Sequence, residues 1–216
     1  MRRANKLSSY SSQTRLLNTA ELPLAAELLR GGNLVAFPTD TFFALGAILT
    51  EAAVGKLFEV KGRMAGNPVP VLISSADQVD AVAQEFPREA QKLAREFWPG
   101  PLTLVLPAKA AVPGTVTANT MTVGVRVPSH RLAIDLISLV GAPVTGTSAN
   151  ISGLQPCKSA AEVMDQLGGK IAAVVDAPCG DHVAPSTVVR FTDSGLSVVR
   201  VGALSENQLQ RALDAD

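Results

Sequence analysis

Short apolar runs alternate with amphipathic stretches along this chain of 216 residues. The run at 34–37 has the composition of a buried strand. The stretch at 19–30 carries apolar residues at helical spacing and then ends at Gly31 and Gly32. Because strand and helix patterns keep alternating to the end of the chain, we predict an α/β fold with helices on the faces of a sheet.

The other predicted elements continue this alternation. The predicted helices are 19–30, 52–60, 77–86, 88–97, 130–140, 159–167 and 206–213. The predicted strands are 34–37, 69–73, 102–106, 123–127, 144–147, 172–175, 187–191 and 196–201. We expect the last two strands to pair in antiparallel fashion, which makes the sheet mixed. The length is that of one domain, placed at 15–216.

A flexible basic tail is predicted at 1–14, ahead of this domain. The first twenty residues contain four cations and no acid; the cations are Arg2, Arg3, Lys6 and Arg15. An arm that touches RNA is the other interpretation of this segment.

Composition limits the classes of function. Basic and acidic residues number 19 each, so no overall charge attracts nucleic acid. The cysteines (Cys157, Cys179) and histidines (His130, His182) lack the spacing of a zinc site, so we expect no protein metal site. No apolar run has the length of a membrane span, and no secretory signal pattern is present. We therefore expect a cytoplasmic enzyme without membrane contact.

Two polar segments follow apolar runs directly. Pro-Thr-Asp-Thr at 38–41 follows one run, and Thr-Ser-Ala-Asn at 147–150 follows another. Hydroxyl and amide side chains at the carboxyl end of a buried strand are typical of polar ligand sites in open α/β sheets. Lys61 and Arg63 lie between the two segments without adjacent acids. This set of groups suits an anionic nucleotide.

Spacing alone leaves several interpretations open. Lys61 and Arg63 can grip a triphosphate or form a solvated helix end. Arg126, in a strand short of other charges, either faces solvent or anchors an anion. Ser148 and Asn150 suit a carboxylate, an adenine edge or a ribose, or they cap a loop. No GxxxxGK[ST] loop, GxGxxG fingerprint or GxSxG elbow occurs, so nucleotide chemistry here would use another kind of site.

Taken together, these segments resemble the YrdC-like family, the L-threonylcarbamoyladenylate synthases. The matching motifs span roughly residues 15–205 in the family's order. They are Pro38-Thr39-Asp40-Thr41 with Leu45-Gly46, Lys61-Gly62-Arg63, Asn67-Pro68, Trp98-Pro99-Gly100-Pro101-Leu102-Thr103, Val125-Arg126-Val127-Pro128, Thr147-Ser148-Ala149-Asn150 with Ser152-Gly153, Pro185-Ser186-Thr187, and Arg200 before Gly202. The family's Lys-Arg-Ser-Asn signature is matched by Lys61, Arg63, Ser148 and Asn150.

The resemblance implies a fold and a reaction. The fold is a twisted open mixed sheet around a concave basic cavity, in a single-domain form without the extra C-terminal domain of longer members. In the reaction, L-threonine, bicarbonate or CO2, and ATP with Mg²⁺ give threonylcarbamoyl-AMP and pyrophosphate. Separate transfer proteins then use this product to make N6-threonylcarbamoyladenosine in tRNA. Direct contact of this chain with RNA is expected to be weak.

The resemblance also implies residue roles. Threonine is expected to be held by Thr39, Arg126, Ser148 and Ser186. ATP is expected to be held by Lys61, Arg63, Asn67, Thr122, Asn150 and Arg200. Lys61 and Arg63 are the expected catalytic residues, with Lys61 facing the phosphates or the carboxy intermediate. Neither chemical step requires a protein nucleophile, so no covalent intermediate is expected.

The chain departs from the family pattern at three places. Phe43 and Ala44 replace the first two residues of the usual Tyr-Gly-Leu-Gly, Leu72 stands where histidine is common, and Lys158 stands where a small hydroxyl residue is common. We expect these changes to leave nucleotide binding intact and to affect the affinity for threonine. A carbamoyl-adenylate former that uses another amine therefore stays open. The implied basic cavity and the basic tail keep a second alternative open, an RNA-binding module without catalysis.

Overall fold

A computed structural model describes residues 13–64, 66–180, 184–193 and 195–215. Its strands are β1 (Arg15–Leu17), β2 (Val35–Phe37), β3 (Ala44–Gly46), β4 (Val71–Leu72), β5 (Leu102–Pro107), β6 (Thr122–Arg126), β7 (Val144–Thr145), β8 (Thr147–Ser148), β9 (Ala173–Val175), β10 (Thr187–Thr192) and β11 (Gly195–Arg200). Its α-helices are α1 (Leu22–Arg30), α2 (Glu51–Lys61), α3 (Arg88–Phe97), α4 (Gly114–Thr117), α5 (Arg131–Val140), α6 (Ala160–Leu167) and α7 (Glu206–Asp214). Short 3-10 helices cover Thr19–Glu21 and Ala76–Ala81.

The strands form two mixed sheets. The first sheet has the order β1-β9-β2-β3-β8, and the second has the order β11-β10-β5-β6-β4-β7. In the first sheet β9 lies parallel to both β1 and β2, whereas β3 is antiparallel to β2 and β8. The predicted mixed α/β fold is confirmed, and its strands are divided between two sheets. The hairpin of β10 and β11 is antiparallel, as expected.

The two sheets meet at Gly146, between β7 and β8. The predicted continuous strand at 144–147 is interrupted there, because β7 pairs with β4 and β8 pairs with β3. Gly146 N donates to Pro70 O at 2.8 Å. A Cβ atom at position 146 would lie 2.3 Å from Leu72 Cγ, so the crossing point has room only for glycine.

Side chains alternate between the two faces of the first sheet. Val35 and Phe37 pack into one core cluster with α1 and α5, whereas Ala36 packs into another with α2 and α6. The second sheet packs against α3 and α7 through a third cluster, which includes Leu93 and Leu209. This two-sided burial explains the continuous apolar run of β2.

One predicted helix is wrong. The segment 77–86 forms only the short 3-10 helix, and residues 82–84 then run alongside the segment after β5. Lys109 N donates to Val82 O at 2.8 Å, and Gln84 N donates to Pro107 O at 2.9 Å. These long-range backbone hydrogen bonds outweigh the helical propensity of the segment. The elements that sequence patterns did not predict, β1, β3 and α4, are all four residues long or shorter.

Most of the predicted tail at 1–14, including Arg2, Arg3 and Lys6, lies outside the described residues, and so does His182. Thr14, the last residue of that segment, is buried and its hydroxyl donates to Ile171 O at 2.7 Å.

Among the residues that the structure describes, no helix is long and apolar enough to cross a membrane.

We predict opposite effects for two glycine-to-alanine changes in and after α2. Gly62 ends this helix in the left-handed conformation at φ +59°, with no other atom crowding the space of a Cβ. Gly62→Ala should therefore lower the free energy of unfolding by about 1–2 kcal/mol through backbone strain alone. Gly55→Ala, inside the helix with equally open space, should raise it by about 0.5–1 kcal/mol. Urea unfolding of both variants tests this, and shifts of the same sign would contradict it.

Candidate functional site

A buried ion pair joins the segment after β2 to the end of β6. Asp40 Oδ2 accepts a hydrogen bond from Arg126 Nη2 at 2.5 Å, and Asp40 Oδ1 accepts one from Ser129 N at 3.1 Å. The side chains of Arg126 and Asp40 are only 8% and 6% exposed. Each charge therefore depends on the other, because an unpaired ion at this depth is strongly destabilising. Arg126 thus anchors an anion and does not face solvent.

The guanidinium of Arg126 retains two unused donors. Nε donates to Gly100 O at 2.9 Å, Nη1 lies 3.5 Å from Thr41 Oγ1, and Nη2 contacts Asp40. A guanidinium has five N–H groups, so one N–H on each terminal nitrogen remains for a ligand. Burial lowers the pKa of Arg126, and the charge of Asp40 opposes this effect. The side chain stays charged, because arginine does not deprotonate in proteins.

A second arginine lies near the first one. Arg200 Nη2 donates to Ser186 O at 2.8 Å and to Ser186 Oγ at 3.0 Å. The hydroxyl of Thr103 lies 2.9 Å from Ser186 Oγ. Burial lowers the pKa of Arg200, and the positive charge of Arg126 adds to the shift. The end of β11, the start of β5 and the residue before β10 therefore meet beside Arg126.

Lys61 is a buried cation that holds a loop. Its side chain is among the largest that are fully buried, and Nζ donates to Ser148 O, to Asn150 O at 2.6 Å and to Asn150 Oδ1 at 3.3 Å. An ammonium group has three protons, so all of its donors have partners. Burial, followed by the charge of Arg63, lowers the pKa of Lys61 to about 8. The last residue of α2 therefore fixes the segment after β8.

Asn150 shapes the turn that follows. Its Oδ1 accepts hydrogen bonds from Lys61 and, at 2.5 Å, from Ser148 Oγ. Its Nδ2 donates to Ile151 O at 2.9 Å and to Leu154 O at 2.7 Å. The amide thus uses its acceptor and both donors inside the protein. Of the two interpretations of Asn150, loop capping is the one that its hydrogen bonds fit.

Arg63 is half-buried just beyond the left-handed end of α2. Its guanidinium donates to Asn67 O at 3.3 Å and to Pro68 O at 2.9 Å, and lies 5.9 Å from the centre of the Phe58 ring. Burial lowers its pKa. No carboxylate within the described ranges pairs with it. Its charge is therefore open to an anionic ligand.

These residues line two adjoining cavities. We call the one of about 570 Å³ the Arg126 cavity, and it is lined by Thr39, Arg63, Arg126, Ser148, Ser186 and Arg200, among others. We call the one of about 620 Å³ the Lys61 cavity, and it is lined by Lys61, Arg63, Asn67, Ser148 and Asn150, among others. Arg63 and Ser148 belong to both linings. No acidic side chain occurs among the described residues that line either cavity.

The structure thus brings together nine of the ten predicted site residues, and Thr122 is the exception. Thr122 begins β6 and its hydroxyl lies 2.9 Å from Thr120 Oγ1, but it belongs to neither described lining.

Three of the residues that depart from the family pattern lie at the same site: Phe43, Ala44 and Leu72 line the Arg126 cavity. Lys158 lies outside it, with Nζ 5.4 Å from the centre of the Phe42 ring.

Sequence reasoning missed Asp40 as a functional residue. The signal was an acid within Pro-Thr-Asp-Thr, directly after a buried strand, but its partner Arg126 is 86 residues away.

The two cysteines are free, and burial raises the pKa of each thiol to about 11. Both thiols are therefore protonated at neutral pH, and neither is a nucleophile there.

Comparison with known proteins places this arrangement in a family. A model of the Sua5, YciO and YrdC domain, described as "Telomere recombination", matches residues 27–202. Threonylcarbamoyl-AMP synthase of Pyrococcus abyssi (strain GE5 / Orsay) is 42% identical over 194 residues, which are 89% of this chain and 57% of that protein. Threonylcarbamoyl-AMP synthase of Bacillus subtilis (strain 168) is 39% identical over 199 residues, 91% of this chain and 57% of that protein.

A solved structure agrees with these matches. P. abyssi Sua5 complexed with L-threonine is 40% identical, with a TM-score of 0.89 over 92% of this chain and 61% of that chain. The chain thus spans less than two thirds of the length of these relatives.

We predict that Asp40→Asn lowers the free energy of unfolding by about 3–5 kcal/mol, because it leaves the buried charge of Arg126 without its partner. The matched control is Asp135→Asn, which removes the exposed ion pair of Arg131 and Asp135 within α5. That change should leave the unfolding midpoint nearly unchanged. Urea unfolding of the two variants measures the contrast, and equal shifts would contradict it.

We also predict a pH-dependent contribution from Lys61. Its pKa is about 8 in the fold and 10.5 at its ordinary value. Between these values the unfolded chain binds more protons, so the free energy of unfolding rises with pH relative to Lys61→Met. The full rise is about 3 kcal/mol. Urea unfolding of both proteins from below pH 8 to above pH 10.5 tests this, and parallel curves would count against it.

Proposed function

Because this chain belongs to the Sua5/YciO/YrdC family, we propose that it is an L-threonylcarbamoyladenylate synthase. It forms threonylcarbamoyl-AMP and pyrophosphate from L-threonine, ATP, and bicarbonate or CO2. The observation that carries the proposal is the convergence of three arginines and several hydroxyls on one cavity without acidic side chains among its described lining residues. The similarity to proteins named threonylcarbamoyl-AMP synthase, and to a threonine-bound structure, supports the choice of reaction.

We place threonine in the Arg126 cavity. The two unused N–H groups of Arg126, one on each terminal nitrogen, suit a carboxylate held in a fork. Thr39, Ser148 and Ser186 line the same cavity with hydroxyl groups. The free amine of threonine is then positioned to meet CO2 inside the cavity. Holding both reactants in one site supplies much of the rate, because it removes the entropy cost of their encounter.

We place the phosphates of ATP between the two cavities. Arg63 lines both of them and has no carboxylate partner in the part of the chain that the structure describes, so it is assigned to direct contact with phosphate. Asn67 and Arg200 are assigned to ATP with it. Lys61 and Asn150 act mainly through the loop that they hold, because their hydrogen-bonding groups already have partners. Thr122 stays a predicted ATP contact at the edge of this arrangement.

The chemistry needs positioning and charge rather than a protein nucleophile. The threonine nitrogen attacks carbon of CO2 and loses a proton, which gives a carbamate. A carbamate oxygen then attacks the α-phosphorus of ATP, and the bond to the bridging oxygen of pyrophosphate breaks. Arg63 and Arg200 stabilise the negative charge that develops on pyrophosphate. The protonated thiols of Cys157 and Cys179 agree with a route without covalent enzyme intermediates.

Mg²⁺ is proposed as the companion of ATP. The described residues contain no group of three His, Cys, Asp or Glu side chains that could hold a metal ion, and Asp40 is engaged by Arg126 and Ser129. This donor set fits an ion held by the triphosphate oxygens and water, which is the usual arrangement for Mg²⁺ with nucleotides. When bound, the ion neutralises phosphate charge.

The wider role follows from the product. Threonylcarbamoyl-AMP is an activated acyl group, and we propose that separate transfer proteins deliver it to tRNA as N6-threonylcarbamoyladenosine. A cytoplasmic location is proposed with this role, in keeping with the free cysteines Cys157 and Cys179.

Pyrophosphate release tests the proposal. Purified protein with ATP and Mg²⁺ should release pyrophosphate only when both L-threonine and bicarbonate are present, and mass spectrometry should detect threonylcarbamoyl-AMP. Arg63→Ala should lower kcat/KM by about 10²–10³-fold, the effect of removing one donor to a developing charge, without unfolding the protein. Arg211→Ala, on α7 away from both cavities, is the control. Pyrophosphate release that does not depend on threonine, or an active Arg63→Ala variant, would refute this mechanism.

A further inference from the structure

The strand register places an apolar side chain directly beside the carboxylate anchor. Leu72 of β4 pairs with Arg126 of β6 in parallel fashion, and both side chains line the Arg126 cavity. Paired residues of adjacent strands project to the same face of a sheet, with the strands about 4.8 Å apart. A small molecule held by the guanidinium of Arg126 therefore lies within reach of Leu72.

Leu72 is part of a larger apolar wall. Ala44, Pro70 and Phe43 line the same cavity, and the side chain of Leu72 packs onto the bare Cα of Gly146. Leu72 is 2% exposed. Because the side chains of Leu72, Ala44, Pro70 and Phe43 are all hydrocarbon, this wall offers no side-chain hydrogen bond.

This wall constrains how an amino acid sits on Arg126. With its carboxylate on the guanidinium, the Cα carries two further groups, the amine and the side chain. The amine must stay open to CO2, and an amine pressed against hydrocarbon would lose hydrogen bonds. The side chain is therefore the group that faces Leu72 and Ala44. The wall contacts the methyl group of threonine, while the hydroxyls of Thr39 and Ser148 in the same lining already donate to protein oxygens, Phe42 O and Asn150 Oδ1.

We propose that the site selects β-branched amino acids by their hydrocarbon shape, so that L-valine, the isostere of threonine, is a second substrate. The inference rests on the proposed function and deepens it. Apolar pockets discriminate against an isostere that differs by a hydroxyl by only about 100-fold, whereas sites that bind the hydroxyl reach about 10⁴–10⁵-fold. A missing methyl group, as in serine, costs about 10–200-fold in such a pocket.

The second activity has the same balance of atoms as the first. The nitrogen of valine attacks CO2, forms the N–C bond and releases a proton. An oxygen of the resulting carbamate bonds to the α-phosphorus of ATP, and pyrophosphate leaves with the electron pair of the broken P–O bond. The products are valylcarbamoyl-AMP and pyrophosphate.

The test is the ranking of three amino acids by kcat/KM, measured as bicarbonate-dependent pyrophosphate release with product masses checked. We expect valine to lie within about 100-fold of threonine. A larger gap, toward the roughly 10⁴-fold of a site that binds the hydroxyl, would overturn the inference while leaving the proposed function intact. No release with any of the three would overturn both.

Two variants locate the effect. Leu72→Asn puts an amide in the wall and should lower the ratio of valine to serine at least tenfold, whereas Leu72→Met keeps the wall apolar and should keep that ratio. A ratio unchanged in a folded Leu72→Asn protein overturns the role of Leu72. If this variant does not fold, the ranking in the unmodified protein decides the inference.

Discussion

The buried ion pair of Asp40 and Arg126 is the interaction around which the candidate site is arranged. It joins the segment after β2 of the first sheet to the last residue of β6 in the second sheet. Neither charge is stable at that depth without the other. The pair therefore fixes the relative position of the two segments, and it leaves two guanidinium donors of Arg126 for a ligand.

Buried polar contacts also fix the position of the loop beside the Lys61 cavity. Lys61 is buried at the end of α2 and uses its three protons on oxygens of Ser148 and Asn150. Asn150 in turn holds the turn that ends at Leu154. Two groups that the sequence predicts as ligands thus also hold a loop, while Arg63 pairs with no carboxylate among the described residues. The left-handed Gly62 between them separates these two tasks.

The division into two sheets explains why apolar and polar groups meet in one cavity. The chain leaves the second sheet at Thr145 and enters the first at Thr147, and Gly146 makes this step possible by lying against Leu72. The cavity at the junction is lined by hydroxyls and apolar side chains from both sheets, among them Ser148 and Ala44 of the first sheet and Thr103 and Leu72 of the second. The mixture of polar and apolar groups in this cavity therefore depends on both sheets and on the passage of the chain between them at Gly146.

The sequence by itself determined most helices and longer strands, because their patterns are local: α3 begins and ends at the residues predicted from Arg88 to Phe97. It also indicated the anion-binding residue types, since ordered motifs carry them. Tertiary structure alone decided what those residues contact. The segment 77–86 forms long-range backbone hydrogen bonds in place of the predicted helix. Arg126 pairs with a carboxylate that is 86 residues away in the sequence. Hydrogen bonds and ion pairs between distant segments leave no local periodicity, so only the folded chain reveals them.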